Sequence, residues 1–192
     1  MIRQYDFPEG VKYELRYSCG WDFYDSSFKA PSDMSYSFAQ SKATVLKGWD
    51  TSNVTNMGSM FYYCSELTSI PQLDSSKVTN MQSMFQGCSS LTSIPLLDCS
   101  SVTSTPGPVG TSTLNYLTNI GGFKDLKMSW TSNFLEKVPN ATVESLMNVI
   151  NNLYDLTANG LSGKTLKFGT TNLNKLTAEQ IAVATNKGWT LT

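Results

Sequence analysis

Residues 50–73 read DTSNVTNMGSMFYYCSELTSIPQL, and residues 74–97 read DSSKVTNMQSMFQGCSSLTSIPLL. Asp50, Asp74 and Asp98 open successive copies at one constant interval. Self-similarity at this length restricts the chain to architectures in which one copy cannot bury its own apolar face and must stack on the next. Such stacks offer broad surfaces for binding.

Each copy has three parts. Val54-Thr55-Asn56-Met57 and Val78-Thr79-Asn80-Met81 open on a β-branched pair. Met57, Met60 and Phe61, like Met81, Met84 and Phe85, are spaced i, i+3, i+4, which predicts a single helical or 3₁₀ turn with one face inward. Leu67-Thr68-Ser69-Ile70-Pro71 and its counterpart Leu91–Pro95 close the unit, with Leu67 and Ile70 inward and Pro71 unable to donate to a ladder. Stacking then sets Phe61 on Phe85, Leu67 on Leu91 and Ile70 on Ile94. A weaker copy, Met34–Phe38, precedes Met57–Phe61 at nearly the same interval. Downstream, Asp98–Thr103 begins in register. Thr105-Pro106-Gly107-Pro108-Val109-Gly110 then replaces the Met–Phe turn, as either a binding loop or a worn terminal repeat. Register returns at Leu117–Ile120, slightly more than one period after Leu91–Ile94.

The ends read as caps. Val11, Tyr13, Leu15, Tyr17 and Cys19 alternate with polar residues, an amphipathic strand inside an aromatic-rich segment that includes Trp21 and Tyr24. Thr142 is a candidate N-cap for a helix whose inner face carries Val143, Leu146, Met147, Ile150 and Leu153. Thr177-Ala178-Glu179-Gln180 is a capping box opening a second helix, which Gly188 stops. Trp189-Thr190-Leu191 reads as a last strand beside Leu166-Lys167-Phe168.

Composition narrows the function. The 192 residues carry 14 basic and 15 acidic side chains, with no basic run, so nucleic acid is not an expected partner. No stretch approaches the length of a membrane span, and no membrane insertion is expected. MIRQYDFPEGVKYELRY lacks the apolar core of a secretory signal. Histidine is absent, which removes the commonest general base and metal ligand. Cys64 and Cys88 share one phase of the repeat; they are read as small buried thiols, with a disulfide between them as the alternative. Asp22 and Asp25, or Asp50 and Asp74, are the carboxylate pairs an enzyme would use, but repeat phase explains the latter as turn caps. No catalysis, cofactor or metal is expected.

The units VTNMxSMFxxCSxLTSIP and their Asp-Ser/Thr-Ser openings resemble BspA-like leucine-rich repeats, found in surface and adhesion proteins of anaerobic and host-associated bacteria. The tail, from Gly121–Leu126 through Glu144–Leu153 to Asn172–Thr177 and Asn186–Trp189, looks like the C-terminal part of such proteins in gut Bacteroides-type bacteria and their phages. The resemblance covers residues 34–192. It departs in the third unit, which has lost its Met-Met-Phe and Cys elements, and in the missing asparagine ladder, whose interior place Cys64 and Cys88 are expected to fill.

The resemblance implies an α/β fold: a short leucine-rich-repeat solenoid of about three to five coils, with parallel short strands and helical or 3₁₀ turns. The expected organisation is an N-terminal aromatic β cap or attachment segment (1–30), repeats over 31–123 and a C-terminal strand–helix cap (124–192). The clear units are 50–73 and 74–97; 31–49 and 98–123 are degenerate. The resemblance also implies a non-enzymatic binding or adhesion module for a protein or glycan ligand on a host or bacterial surface, placed extracellularly or at the cell surface. The alternative is a phage virion component, in the tail or decorating the capsid, assembling or oligomerising through the N-terminal segment. The candidate contact surface comprises Tyr62, Tyr63, Thr68, Ser69, Gln86, Thr92 and Ser93, with Trp21 and Tyr24 from the aromatic segment.

Overall fold

Lys29 lies beside Asp50 in a parallel bridge, and parallel pairing recurs down the chain. The computed structural model describes residues 29–46, 48–103, 107–108, 114–127 and 134–192. Asp33 pairs with Asn56 and Asn56 with Asn80, while Val45 pairs with Ser69 and Ser69 with Ser93. Further on, β1 (Ser93–Ile94) pairs with β3 (Asn119–Ile120), and β2 (Leu97–Asp98) with β4 (Phe123–Lys124). The Ser93–Asn119 register keeps the lengthened interval read from the sequence. Most of the 1–30 segment, including the Val11–Cys19 strand, Trp21, Asp22, Tyr24 and Asp25, lies outside the described residues.

Because the pairing is parallel and in phase, like positions meet. Val54, Met57, Met60, Phe61, Cys64, Leu67, Ile70 and Leu73 are buried, and so is the counterpart of each in the next copy. The Phe38, Phe61 and Phe85 rings form one column, with centroids 5.6 and 5.9 Å apart. Full burial of such a ring stabilises by about 1.5–3 kcal/mol, and no single copy supplies enough neighbours to achieve it.

The Met57–Phe61 segment is not the helical or 3₁₀ turn expected from its spacing. The N–H groups of Met60, Tyr62 and Cys64 donate within the copy, to the carbonyls of Met57, Ser59 and Phe61. Those of Met57, Ser59, Phe61 and Tyr63 donate instead to Asn80, Gln82, Met84 and Gln86 of the next copy. Met34, Tyr36, Phe38 and Gln40 bond the following copy in the same way. This alternation requires left-handed residues: φ is +55° at Ser59 and +57° at Tyr63. A helical turn closes its donors on itself and leaves none for a neighbour, so a stack favours the alternating form. The cost is about 1–2 kcal/mol per left-handed non-glycine residue, offset by the ladder it makes. Ser83 and Phe85 donate to Gly107 and Pro108, both buried. The described part of the proline–glycine segment therefore supplies acceptors to the stack.

Polar side chains add ties between copies. The Cys64 and Cys88 thiols donate to the carbonyls of Phe38 and Phe61, at 2.8 and 3.0 Å. Both cysteines are free, as is Cys99, so Cys64 and Cys88 form no disulfide. Asparagines also tie neighbouring copies, outside the core: Asn80 Nδ2 donates to Asn56 Oδ1 at 3.1 Å, both residues being half-buried. Each of these side chains also accepts a backbone N–H two residues on, from Gly58 or Gln82.

Helices take over after residue 134. A 3₁₀ turn at Leu135–Lys137 precedes α1 (Val143–Asn152), whose N-cap Thr142 accepts from the Ser145 N–H. Ser145 plugs the edge of β3: its hydroxyl accepts from Ile120 N and donates to Thr118 O. Leu146, Ile150 and Leu153 are buried as the periodicity predicts, but Val143 is 39% exposed and Val149 is buried in its stead. Position 143 is the first of the helix, where its side chain projects beyond the packed face. β5 (Lys164–Leu166) is followed by α2 (Thr170–Leu173) and α3 (Ala178–Asn186). The Thr177–Gln180 capping box forms. β6 (Trp189–Leu191) pairs parallel with β5, so the strand expected at 166–168 lies two residues earlier.

Candidate recognition face

Three tyrosines from two copies converge. The Tyr62 ring meets Tyr63 edge-on at 4.6 Å between centroids and Tyr36 at 6.1 Å. Tyr36 and Tyr63 are 53% and 48% exposed. Both sit on left-handed backbone, with φ of +58° and +57°. A bulky residue in that region is an outlier, held only where its surroundings over-determine it.

The repeat supplies an internal control. Gln40, Tyr63 and Gly87 occupy one phase, and all three have positive φ. Gly87 meets the backbone requirement without strain, whereas Tyr63 meets it with a large side chain. The glycine also makes room, since a Cβ there would stand 2.8 Å from Cγ and Cδ1 of Tyr63. Tyr63 is thus seated on the backbone of the next copy and wedged by Tyr62. Gln86 belongs to the same row, because the Tyr63 N–H donates to its carbonyl at 2.6 Å. The sequence reading missed Tyr36. Its phase, shared with Ser59 and Ser83, was the available signal.

The remaining described candidates form a second row. Ser69 and Ser93 are bridge partners and half-buried. The Thr68 hydroxyl donates to Thr44 O at 2.8 Å, and the Thr92 hydroxyl to Thr68 O at 2.9 Å. Thr55, Thr79 and Thr103 repeat the device along another line. These donors are committed to neighbouring copies, so this row ties the stack together. Trp21 and Tyr24 lie outside the described residues.

Repeated carboxylates serve turns. Asp50, Asp74 and Asp98 accept the N–H groups of Ser52, Ser76 and Ser100. Side-chain and backbone hydrogen bonds from Ser52 hold the Asp50 carboxyl below its usual range. At Asp98 burial pushes upward, but hydrogen bonds from Ser100 and the Lys124 ammonium at 2.9 Å prevail and lower it. Burial pushes the Cys64 thiol up to about 11, and it pushes Cys88 and Cys99 up as well, so all three stay protonated and poorly nucleophilic. Among the described residues, no group of three or more Cys, Asp or Glu comes together to hold a metal, and no helix is long and apolar enough to cross a membrane.

Residues 32–107, less than half of the chain, match a family model described as Mycoplasma protein of unknown function, DUF285; that family is related to BspA-like repeat proteins. No curated protein and no solved structure matches the chain.

Proposed function

We propose that the chain is a short leucine-rich-repeat solenoid that acts as a non-enzymatic recognition module, binding a protein or glycan through the face centred on Tyr36, Tyr62 and Tyr63. The observation that carries this reading is the pair of exposed tyrosines on left-handed backbone. Two positions that glycine or serine fills at lower strain in other copies carry large aromatic rings, and both rings meet Tyr62, that of Tyr36 from the neighbouring copy. Strain kept at an exposed site favours a contact role over a packing role. Tyrosine gives large contact area at low ordering cost.

The recurrent serines and aspartates support a structural role over a catalytic one. Their repeated partners are backbone groups and each other, and the chain has no histidine to activate a hydroxyl. An extracellular or cell-surface site of action goes with this reading. The test is an array of host proteins and glycans, probed with the wild type and with Tyr62→Ser at matched melting temperature. Ligand-specific signal that the substitution removes supports the proposal. Equal signal from both proteins, or hydrolysis of an array compound that Asp50→Asn or Asp74→Asn abolishes, would overturn it.

A further inference from the structure

The three turn segments around the tyrosine cluster, 36–41, 58–65 and 82–89, contain no charged residue. The charges nearest in sequence, Lys42 and Glu66, pair with each other at 3.0 Å. The exposed residues of these segments are Tyr36, Gln40, Tyr63, Gln82 and Ser89, with none aliphatic. An ionic ligand would meet no opposing charge here. A protein partner would find aromatic contact area here but no arginine to anchor it. Aromatic rings beside amides and hydroxyls are what an uncharged polyhydroxylated ligand uses. Its C–H faces pack on the electron-rich face of a ring, and its hydroxyls exchange hydrogen bonds with amide groups.

We infer that the Tyr36–Tyr62–Tyr63 cluster takes a neutral carbohydrate chain, with sugar rings stacking on the exposed tyrosines. The inference rests on the recognition reading and names its ligand class. Pre-seating is part of the argument. Tyr63 is fixed between the Gly87 backbone and the Tyr62 ring, so little side-chain freedom remains to be lost on binding. The two copies bring tyrosines from successive layers of the stack together, which suits a chain of several residues better than a monosaccharide.

Affinity electrophoresis of the 192-residue chain through gels cast with α-glucan, β-glucan, xylan, mannan or galactan tests this, with an array of host proteins run alongside. Tyr63→Gly is the decisive variant, because glycine adopts the left-handed backbone freely, as Gly87 does one copy on, and the fold survives. Tyr63→Phe keeps the ring. The expected result is retardation of the wild type by at least one polysaccharide, at least tenfold weaker in Tyr63→Gly and retained in Tyr63→Phe, with the melting temperature of Tyr63→Gly unchanged or higher. Retardation that Tyr63→Gly leaves intact overturns the inference. Absence of retardation together with protein binding that Tyr63→Gly removes overturns the carbohydrate but leaves the recognition reading standing. No binding in either arm overturns both.

Discussion

The stack over residues 29–103 and the helical end over 134–192 solve one problem in two ways. In the stack, each copy divides its N–H groups between itself and its neighbour, and threonine hydroxyls and cysteine thiols reach carbonyls about one copy away in sequence. In the helical end, α1 and α3 close their donors internally, and two lysines reach far along the chain to leftover carbonyls. Lys187 Nζ donates to the carbonyls of Ile150, Asn151 and Leu153 at the end of α1, and Lys175 Nζ to Pro139 and Ala141. Burial lowers the pKa of both lysines. Short side chains suffice where the neighbour is an in-register copy of the same backbone. Where a helical turn ends against irregular chain, the leftover carbonyls take either such a long cation or, at Leu135 and Val138, the buried Asn172 amide.

The largest expected effect falls on the shared column. Phe85→Ala removes a ring stacked at 5.9 Å on Phe61 and should cost about 3–5 kcal/mol in urea denaturation. A loss under about 1 kcal/mol would mean that the copies do not depend on one another. Alkali should also act on the stack, since residues 134–192 contain no cysteine. The Cys64 thiol ionises near 9.0 when unfolded and near 11 when folded. Its contribution is therefore complete below pH 9 and lost as pH rises through 11, a decline on the order of 2–3 kcal/mol. Urea midpoints from about pH 8 to pH 11 should fall more steeply for the wild type than for Cys64→Ala.

Lys187→Met should cost about 1.5–3 kcal/mol, because charge-assisted bonds to the end of α1 are lost. Hydrogen exchange should then quicken in 143–153 before it changes in 54–97; uniform acceleration would erase the distinction between the two regions. Gly121, which lies between the two regions in sequence, sits against the backbone of the stack: a Cβ there would collide with Leu96 N and stand 2.6 Å from the Pro95 carbonyl carbon. Gly121→Ala should cost about 1–3 kcal/mol by forcing the backbones apart, read as a drop in melting temperature. The smallest effect belongs to Thr68→Val, which removes one bond between copies and should cost about 0.5–1.5 kcal/mol.

The sequence made the period, most buried positions and the two helix N-caps legible, because each has a local signature. Phe61 and Phe85 repeat in phase, and Thr142 and Thr177 precede apolar periodic runs. The alternating turn was not legible, since inward spacing of i, i+3, i+4 serves a helical turn and this form equally. Only the neighbour, which takes half the donors, decides between them. Tyr36 was missed because its copy is degenerate, and its partner Tyr62 stands in the next copy at a different phase. The lysine caps were invisible for a related reason: a flexible side chain leaves no periodic mark where it lands. By sequence Thr68 and Thr92 belong to the contact surface, but their hydroxyls are short enough to reach a neighbouring carbonyl and turn to it.

A double-mutant cycle on Phe61→Leu and Phe85→Leu tests most directly whether like positions of successive copies meet. Stacked rings predict a coupling of about 0.5–1.5 kcal/mol between the two substitutions. Strict additivity, with each substitution costing the same in either background, would contradict it.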